Sequence, residues 1–323
     1  MTLKPSYNKY KSLKPPFPFA GAYTSTVLSK LRITLHRHKV QPLLKKSFQE
    51  TFVSKSGLKL SVHVNCHESS SQTLFVLPGY LSHHNTSYMQ SSLEMFFNSG
   101  WNVIRINPVD HGDSLSLNKE VFNAHQHHEV AECIEQYMKE PNHKYSLLGF
   151  SFGGNFALRI GCLNVGNKLD KVVSICPMVD HSLSLDMMKS SFFKWYYRRK
   201  WLRTFKFKQK KWSDIDFSKV YKIRDFKEVT AALLPDILPQ QLSLEEYFES
   251  YKITPAVIAS LNVNATIIAS KNDPVVPIMT FADLENNEKL NLIITNYGGH
   301  NGFIENYKFE DYSIKIARQE LET

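Results

Sequence analysis

The stretch "LLGFSFGGNFALRIG", residues 147–161, decides the fold. An apolar, strand-like run ends in Gly149-Phe150-Ser151-Phe152-Gly153, and a helical pattern begins immediately behind it. In a G-x-S-x-G turn the serine backbone is strained. Side chains two residues to either side would strike the neighbouring strand or helix, so those places are glycine. Gly154 extends the small surface. The turn exposes the Ser151 hydroxyl at the sheet edge and points the Phe152 N–H to where charge would develop on an attacked carbonyl. Taken alone the pattern also fits a Gly-rich strand-to-helix turn, but the strand before it and the helix after it favour a nucleophile.

Outward from this turn, strand and helix patterns alternate. Residues 52–64, "FVSKSGLKLSVHV", hold two alternating runs around Ser56-Gly57 and predict an opening hairpin. Strands are predicted over 73–77, 101–106, 145–148 and 172–176, with helices over 86–97, 121–138 and 153–163 between them. The rhythm stops near Pro177 and resumes at "VNATIIAS", residues 263–270. A helix over 278–284, the strand "LNLIIT" over 290–295 and a last helix from about Phe303 follow. This alternation predicts a mostly parallel central sheet covered by helices on both faces. The division expected is a basic N-terminal extension over 1–47, a core over 48–177 and 263–323, and a helical cap inserted over 178–262.

A serine hydroxyl needs a base, and the base needs a third group to fix its tautomer. "IIASKNDPVVP" puts Asp273 just past a strand, and "IITNYGGHNGF" puts His300 just past the last one, among Gly298, Gly299 and Gly302. The order Ser151, Asp273, His300 is the one this architecture uses. A second oxyanion donor is expected from Pro78-Gly79-Tyr80-Leu81, at the Tyr80 N–H, beside Phe152. His83 and His84 either line the entrance or sit solvated in the loop. Asp110 and Asp113, in "NPVDHGDS", precede Ser151 and suit loop-structuring through local side-chain to backbone bonds. His125, His127 and His128 lack a carboxylate or cysteine partner motif, so no metal is expected, and acyl transfer through a serine needs no cofactor.

The formal net charge of +9 is unevenly spread. Residues 1–50 hold ten Lys/Arg and one acid, and residues 187–213 hold ten and none, which leaves 19 basic and 29 acidic residues elsewhere. The body of the protein is therefore acidic, and its basicity is local. Cys66, Cys133, Cys162 and Cys176 form no disulfide or zinc spacing, which suits a reducing compartment. With no signal-like or membrane-length apolar run, a cytoplasmic protein is expected. The segment "KSSFFKWYYRRKWLRTFKFKQKKW", residues 189–212, mixes ten cations with aromatics. It suits a cap helix with solvated cations, peripheral contact with an anionic membrane surface, or an anionic substrate; nucleic acid is not expected, because no binding fold accompanies it.

"LGFSFGGN", "NPVDHGDS", "NDPVVP" and "GGHNGF" together resemble the YheT-like branch of the α/β-hydrolases, over roughly Thr73 to the C-terminus. The resemblance implies the α/β-hydrolase fold, an esterase or lipase activity, and catalytic Ser, Asp and His at Ser151, Asp273 and His300. Many such proteins carry His-Gly where this chain has Pro78-Gly79. The expected reaction is hydrolysis of a small-molecule carboxylic ester with a short- to medium-chain or lipid-like acyl group. An acyltransferase on the same residues, or a non-catalytic protein binding through its basic cap, are the alternatives.

Overall fold

A computed structural model describes residues 12–188, 191–238, 242–284 and 287–323. The first eleven residues of the basic extension and residues 189–190 of the basic aromatic segment lie outside them. Eight strands form one sheet: β1 (Phe48–Val53), β2 (Lys59–Asn65), β3 (Gln72–Leu77), β4 (Asn102–Asn107), β5 (Lys144–Phe150), β6 (Lys171–Ile175), β7 (Ala265–Ser270) and β8 (Leu290–Thr295). Their order is β1-β2-β4-β3-β5-β6-β7-β8. The hairpin β1–β2 joins antiparallel through Gly57, whose φ is +86°, and every pair from β4 to β8 is parallel. The central strands read as continuous apolar runs because both faces are covered: along β3, Phe75 and Leu77 enter one core, and Leu74 and Val76 the other.

Helices α1 (Ala22–Leu28), α2 (Arg32–Leu35) and α3 (Arg37–Lys45) precede the sheet, and α4 (Ser87–Phe97), α5 (His127–Tyr137) and α6 (Phe152–Gly161) alternate with its strands. Between β6 and β7 the chain is helical: α7 (His181–Met187), α8 (Ser191–Lys211), α9 (Ser218–Tyr221), α10 (Phe226–Ile237), α11 (Leu244–Glu249) and α12 (Pro255–Ala259). Helix α13 (Tyr312–Glu322) closes the chain. One face of the sheet buries apolar residues of α3, α4 and α13, among them Leu43, Met89, Phe96 and Ile316. The other buries α5, α6 and the inserted helices, including Phe156, Trp201 and Phe226.

Two helix starts and one helix type differ from a plain α-helical reading of the sequence. The helix expected from Val121 begins at His127, after a 3₁₀ turn, because Asn123 and Gln126 form a capping box that fixes the start. Residues 278–284 form a 3₁₀ helix rather than an α-helix. The last helix begins at Tyr312, not Phe303. Residues 303–311 are held in a loop with Phe303 and Phe309 at positive φ, and Asp311 caps the helix behind it.

Helix α8 contradicts a simple division into packed aromatics and solvated cations. Phe193, Trp201 and Phe205 are buried, whereas Phe192, Trp195 and Phe207 are exposed. Lys208, on the same helix, is fully buried: its ammonium lies 2.6 Å from an Asp110 oxygen and donates to the carbonyls of Asn118, at 2.9 Å, and Glu120. The other Asp110 oxygen accepts from the Phe122 N–H at 2.8 Å. Asp110 thus ties an inserted helix to the loop after β4, instead of making only the local bonds expected of it. Losing one partner of a buried ion pair strands the other charge. Lys208→Ala is expected to lose about 3–5 kcal/mol in chemical denaturation, while Lys210→Ala, at an exposed position, stays within ~0.5 kcal/mol of the parent.

Candidate active site

Ser151 stands between β5 and α6 with φ +52° and ψ −114°, a backbone conformation rare for any residue with a side chain. Its neighbours explain how the turn closes. A Cβ on Gly149 would come within 2.2 Å of the Gly153 carbonyl oxygen, and one on Gly153 within 2.4 Å of the Pro78 oxygen. The strained turn is pinned by hydrogen bonds from the Ser151 N–H to Ile175 O at 2.9 Å and from the Met178 N–H to Ser151 O at 3.0 Å. The Ser151 side chain lines a cavity of about 540 Å³.

The structure brings the three residues singled out in the sequence together. His300 Nε2 lies 2.9 Å from Ser151 Oγ, and His300 Nδ1 lies 2.8 Å from Asp273 Oδ2. The second Asp273 oxygen accepts the N–H groups of Val275 and Val276 at 2.7 and 2.9 Å, so the carboxylate faces His300 in one orientation. Both carboxylate and ring are buried.

Phe152 opens α6, where the first N–H groups have no partner within the helix. Gly79 brings the loop after β3 against the serine: a Cβ there would sit 3.2 Å from Ser151 Cβ. In that loop Gly79 N–H donates to Tyr88 Oη and Leu81 N–H to His111 Nε2, whereas the Tyr80 N–H between them has no hydrogen bond among the described residues. The Tyr80 ring contacts those of Phe122 and Phe152, and its hydroxyl accepts from Trp201 Nε1. Of the two adjoining histidines, His83 lines the cavity, while His84 is buried and stacked on His63.

Two supports were not singled out in the sequence. His111 is buried; accepting from Leu81 leaves its proton on Nδ1, which donates to Val109 O at 2.8 Å. Burial pushes its pKa down to about 4, so the ring stays neutral and holds the Tyr80 loop. The second support is the N-terminal segment. The His300 N–H donates to Thr26 Oγ1 at 2.8 Å, and Ser25 Oγ donates to Gly298 O. The buried Arg32 donates to the carbonyls of Gly302, at 2.5 Å, and Phe309, and pairs with Asp311 at 2.7 Å. A Cβ on Gly299 would stand 2.5 Å from Thr26 Oγ1, which is why this loop needs glycine. Only the Gly-rich run 298–302 hinted in sequence that another element lies so close.

Among the described residues, His63, His84 and Asp113 bring ligand-type atoms together, as do Cys176, Asp273 and His300. The His63 and His84 rings stack 3.4 Å apart and nearly parallel, so no single ion about 2.1 Å from both nitrogens would lie in both ring planes. In the second group, Asp273 and Ser151 already occupy both His300 nitrogens.

A mostly parallel sheet with this serine turn defines a serine-type α/β-hydrolase. A family model described as Serine aminopeptidase, S33, matches residues 68–300, and the chain belongs to that family. No curated protein sequence matches it significantly. Among solved structures, an esterase of Pyrococcus furiosus is similar at TM-score 0.59 and 16% identity, covering 98% of both chains. A 2,6-dihydroxy-pseudo-oxynicotine hydrolase is similar at TM-score 0.58 and 16% identity, over 89% of this chain and 70% of the other. A membrane phospholipase A, described as a bacterial virulence factor, is similar at TM-score 0.58 and 13% identity, over 93% of this chain and 94% of the other.

The buried neutral histidines set a pH dependence. His111 and His63 are held down to about 4 and His127 to about 2, in each case chiefly by burial. Below about 6.5 the unfolded chain takes up protons that these folded rings refuse, so stability present above 6.5 is lost as pH falls toward 4. For His111 that loss is at most about 3 kcal/mol. Urea unfolding at pH 7, 6 and 5 is expected to show a falling midpoint; a flat profile would mean that these rings are solvated.

Proposed function

We propose that the protein is a carboxylic ester hydrolase, with Ser151 as nucleophile, His300 as general base and Asp273 orienting the base. The observation that carries this reading is the continuous pair of hydrogen bonds from Asp273 through His300 to Ser151, opening into one cavity. His300 Nε2 takes the hydroxyl proton as Ser151 Oγ bonds to the ester carbonyl carbon. The N–H groups of Phe152 and Tyr80 receive the oxyanion. Collapse breaks the bond to the leaving oxygen, which departs with the proton from His300. Water activated by His300 then cleaves the acyl-enzyme and releases the acid. No cofactor enters these steps. The YheT-like motifs around Ser151 and His300 support the same reading. An acyltransferase would differ only in the nucleophile that meets the acyl-enzyme.

Two features narrow the substrate. A narrow slot of about 30 Å³ runs from Ser151 between Phe152, Met178, Leu185, Met188 and Trp201, and an apolar acyl group of short length suits it. A peptide amino terminus would need a carboxylate partner, and Asp110, the one acid lining the larger cavity among the described residues, is already paired with Lys208. Butyrate aryl esters are therefore expected to turn over faster than laurate esters, and aminoacyl anilides slowly or not at all. Ser151→Ala is expected to lower ester turnover by about 10⁴-fold or more with the fold intact. Wild-type turnover in that variant would exclude Ser151 as the nucleophile.

The inserted helices act in this reading as a cap over the site, with the outer face of α8 in reversible contact with anionic lipid. Exposed Phe192, Trp195 and Phe207 alternate there with Arg199 and Lys206. Arg198 does not join them, because its guanidinium donates to Tyr221 O at 2.9 Å. Each engaged cation contributes on the order of 1 kcal/mol. Co-sedimentation with phosphatidylserine vesicles should be salt-sensitive and weakened by Arg199→Glu with Lys206→Glu; equal sedimentation with neutral vesicles would reject the contact.

A further inference from the structure

We propose that the mouth of the Ser151 cavity is an anion subsite, formed by Lys200 and Lys30 with Arg203, that takes a negatively charged leaving group while the acyl chain enters the apolar slot. The inference rests on the ester-hydrolase reading and adds the chemical class of the substrate: an acyl ester of an alcohol bearing a carboxylate or phosphate.

Helix α8 supplies the division of labour. Tyr196, Lys200 and Arg203 recur at helical spacing and line the larger cavity together with Ser151 and His300, while Trp201, on the adjoining face, lines the slot. Lys30, in the 3₁₀ turn that follows helix α1, lines the same cavity. The two ammonium groups share one ring, Lys30 Nζ at 4.5 Å and Lys200 Nζ at 4.9 Å from the Tyr196 centroid. Among the described residues, neither lysine nor Arg203 pairs with a carboxylate. Burial, followed by the neighbouring Lys30, pulls the Lys200 ammonium down to about 8, the behaviour of a cation held without a counter-ion. Two like charges brought together in a half-dry mouth are destabilising until an anion arrives, and such an arrangement is a binding site held ready. Among the described residues the slot holds no cation, and its one histidine, His181, is kept neutral by burial, so a charged group would have to shed its water there without a counter-ion. Orientation follows: acyl chain in the slot, anion at the mouth.

The test compares 4-butyryloxybenzoate with its neutral isostere 4-butyryloxybenzamide, each rate divided by that of alkaline hydrolysis. 4-Butyryloxyphenyl phosphate separates phosphate from carboxylate preference, and phenyl hydrogen succinate against phenyl butyrate places an anion on the acyl side instead. The wild-type kcat/KM is expected to favour anionic leaving groups by about tenfold or more, the scale of one charge-assisted contact in a partly dry site, and to disfavour the acyl-side anion. Lys200→Gln and Lys30→Gln should bring the leaving-group ratio toward one, and Lys200→Arg should retain it. A ratio near one in the wild-type protein, with turnover that still requires Ser151, overturns the subsite and leaves the esterase reading standing. If no ester is turned over through Ser151, the esterase reading fails, and calorimetric titration with 4-hydroxybenzoate decides the subsite. Binding weakened about tenfold by Lys200→Gln supports the subsite in that case; binding unchanged by the substitution overturns it.

Discussion

Everything at the site depends on one turn that a protein chain does not adopt willingly. Ser151 is held at φ +52° because β5 delivers it at the sheet edge and α6 leaves at once in the other direction. The turn closes only where Gly149 and Gly153 let the helix backbone, the end of β3 and the strand come into contact. That same contact brings Gly79 against Ser151 and so sets the place of the Tyr80 loop. The strain is offset by the hydrogen bonds to Ile175 and Met178, which belong to the next strand and to the start of the helical insertion. A single steric arrangement thus fixes the nucleophile, its flanking N–H groups and the departure of the inserted helices.

Much of this was legible in the sequence, and the boundary of what was legible has a physical origin. The serine turn, the positions of Asp273 and His300 after successive strands, and the opening hairpin are local patterns, carried by glycine, proline and alternation within a few residues. What was not legible depends on partners far along the chain. No feature of residues 303–311 forbids a helix; the loop exists because Arg32 takes the carbonyls of Gly302 and Phe309. Asp110 looked like a loop-former because its partner, Lys208, lies in a basic run where every cation reads alike.

That basic run divides into different environments once folded. Lys208 is inside, Arg198 is spent on the carbonyls of Tyr221 and Ile223, Lys200 faces the cavity, and Arg199 faces outward. The net charge of such a segment says little about what any one residue does, since burial and partner decide it residue by residue. The same holds for the histidines: buried His111 and His84 are neutral props of the loop after β3, whereas His300 is hydrogen-bonded to the serine.

The Arg32 and Thr26 contacts tie the histidine loop to a distant part of the chain. Arg32 and Gly302 are 270 residues apart, and Thr26 and His300 are 274 apart. Contacts of such sequence separation close long loops, against the chain entropy those loops would otherwise keep. A chain whose sheet has assembled but whose ends have not met would carry Ser151 in its turn with the histidine loop unanchored. Competence at this site then requires both the turn and the meeting of segments far apart in the chain, so that the order of the histidine loop reports on whether those segments have found each other.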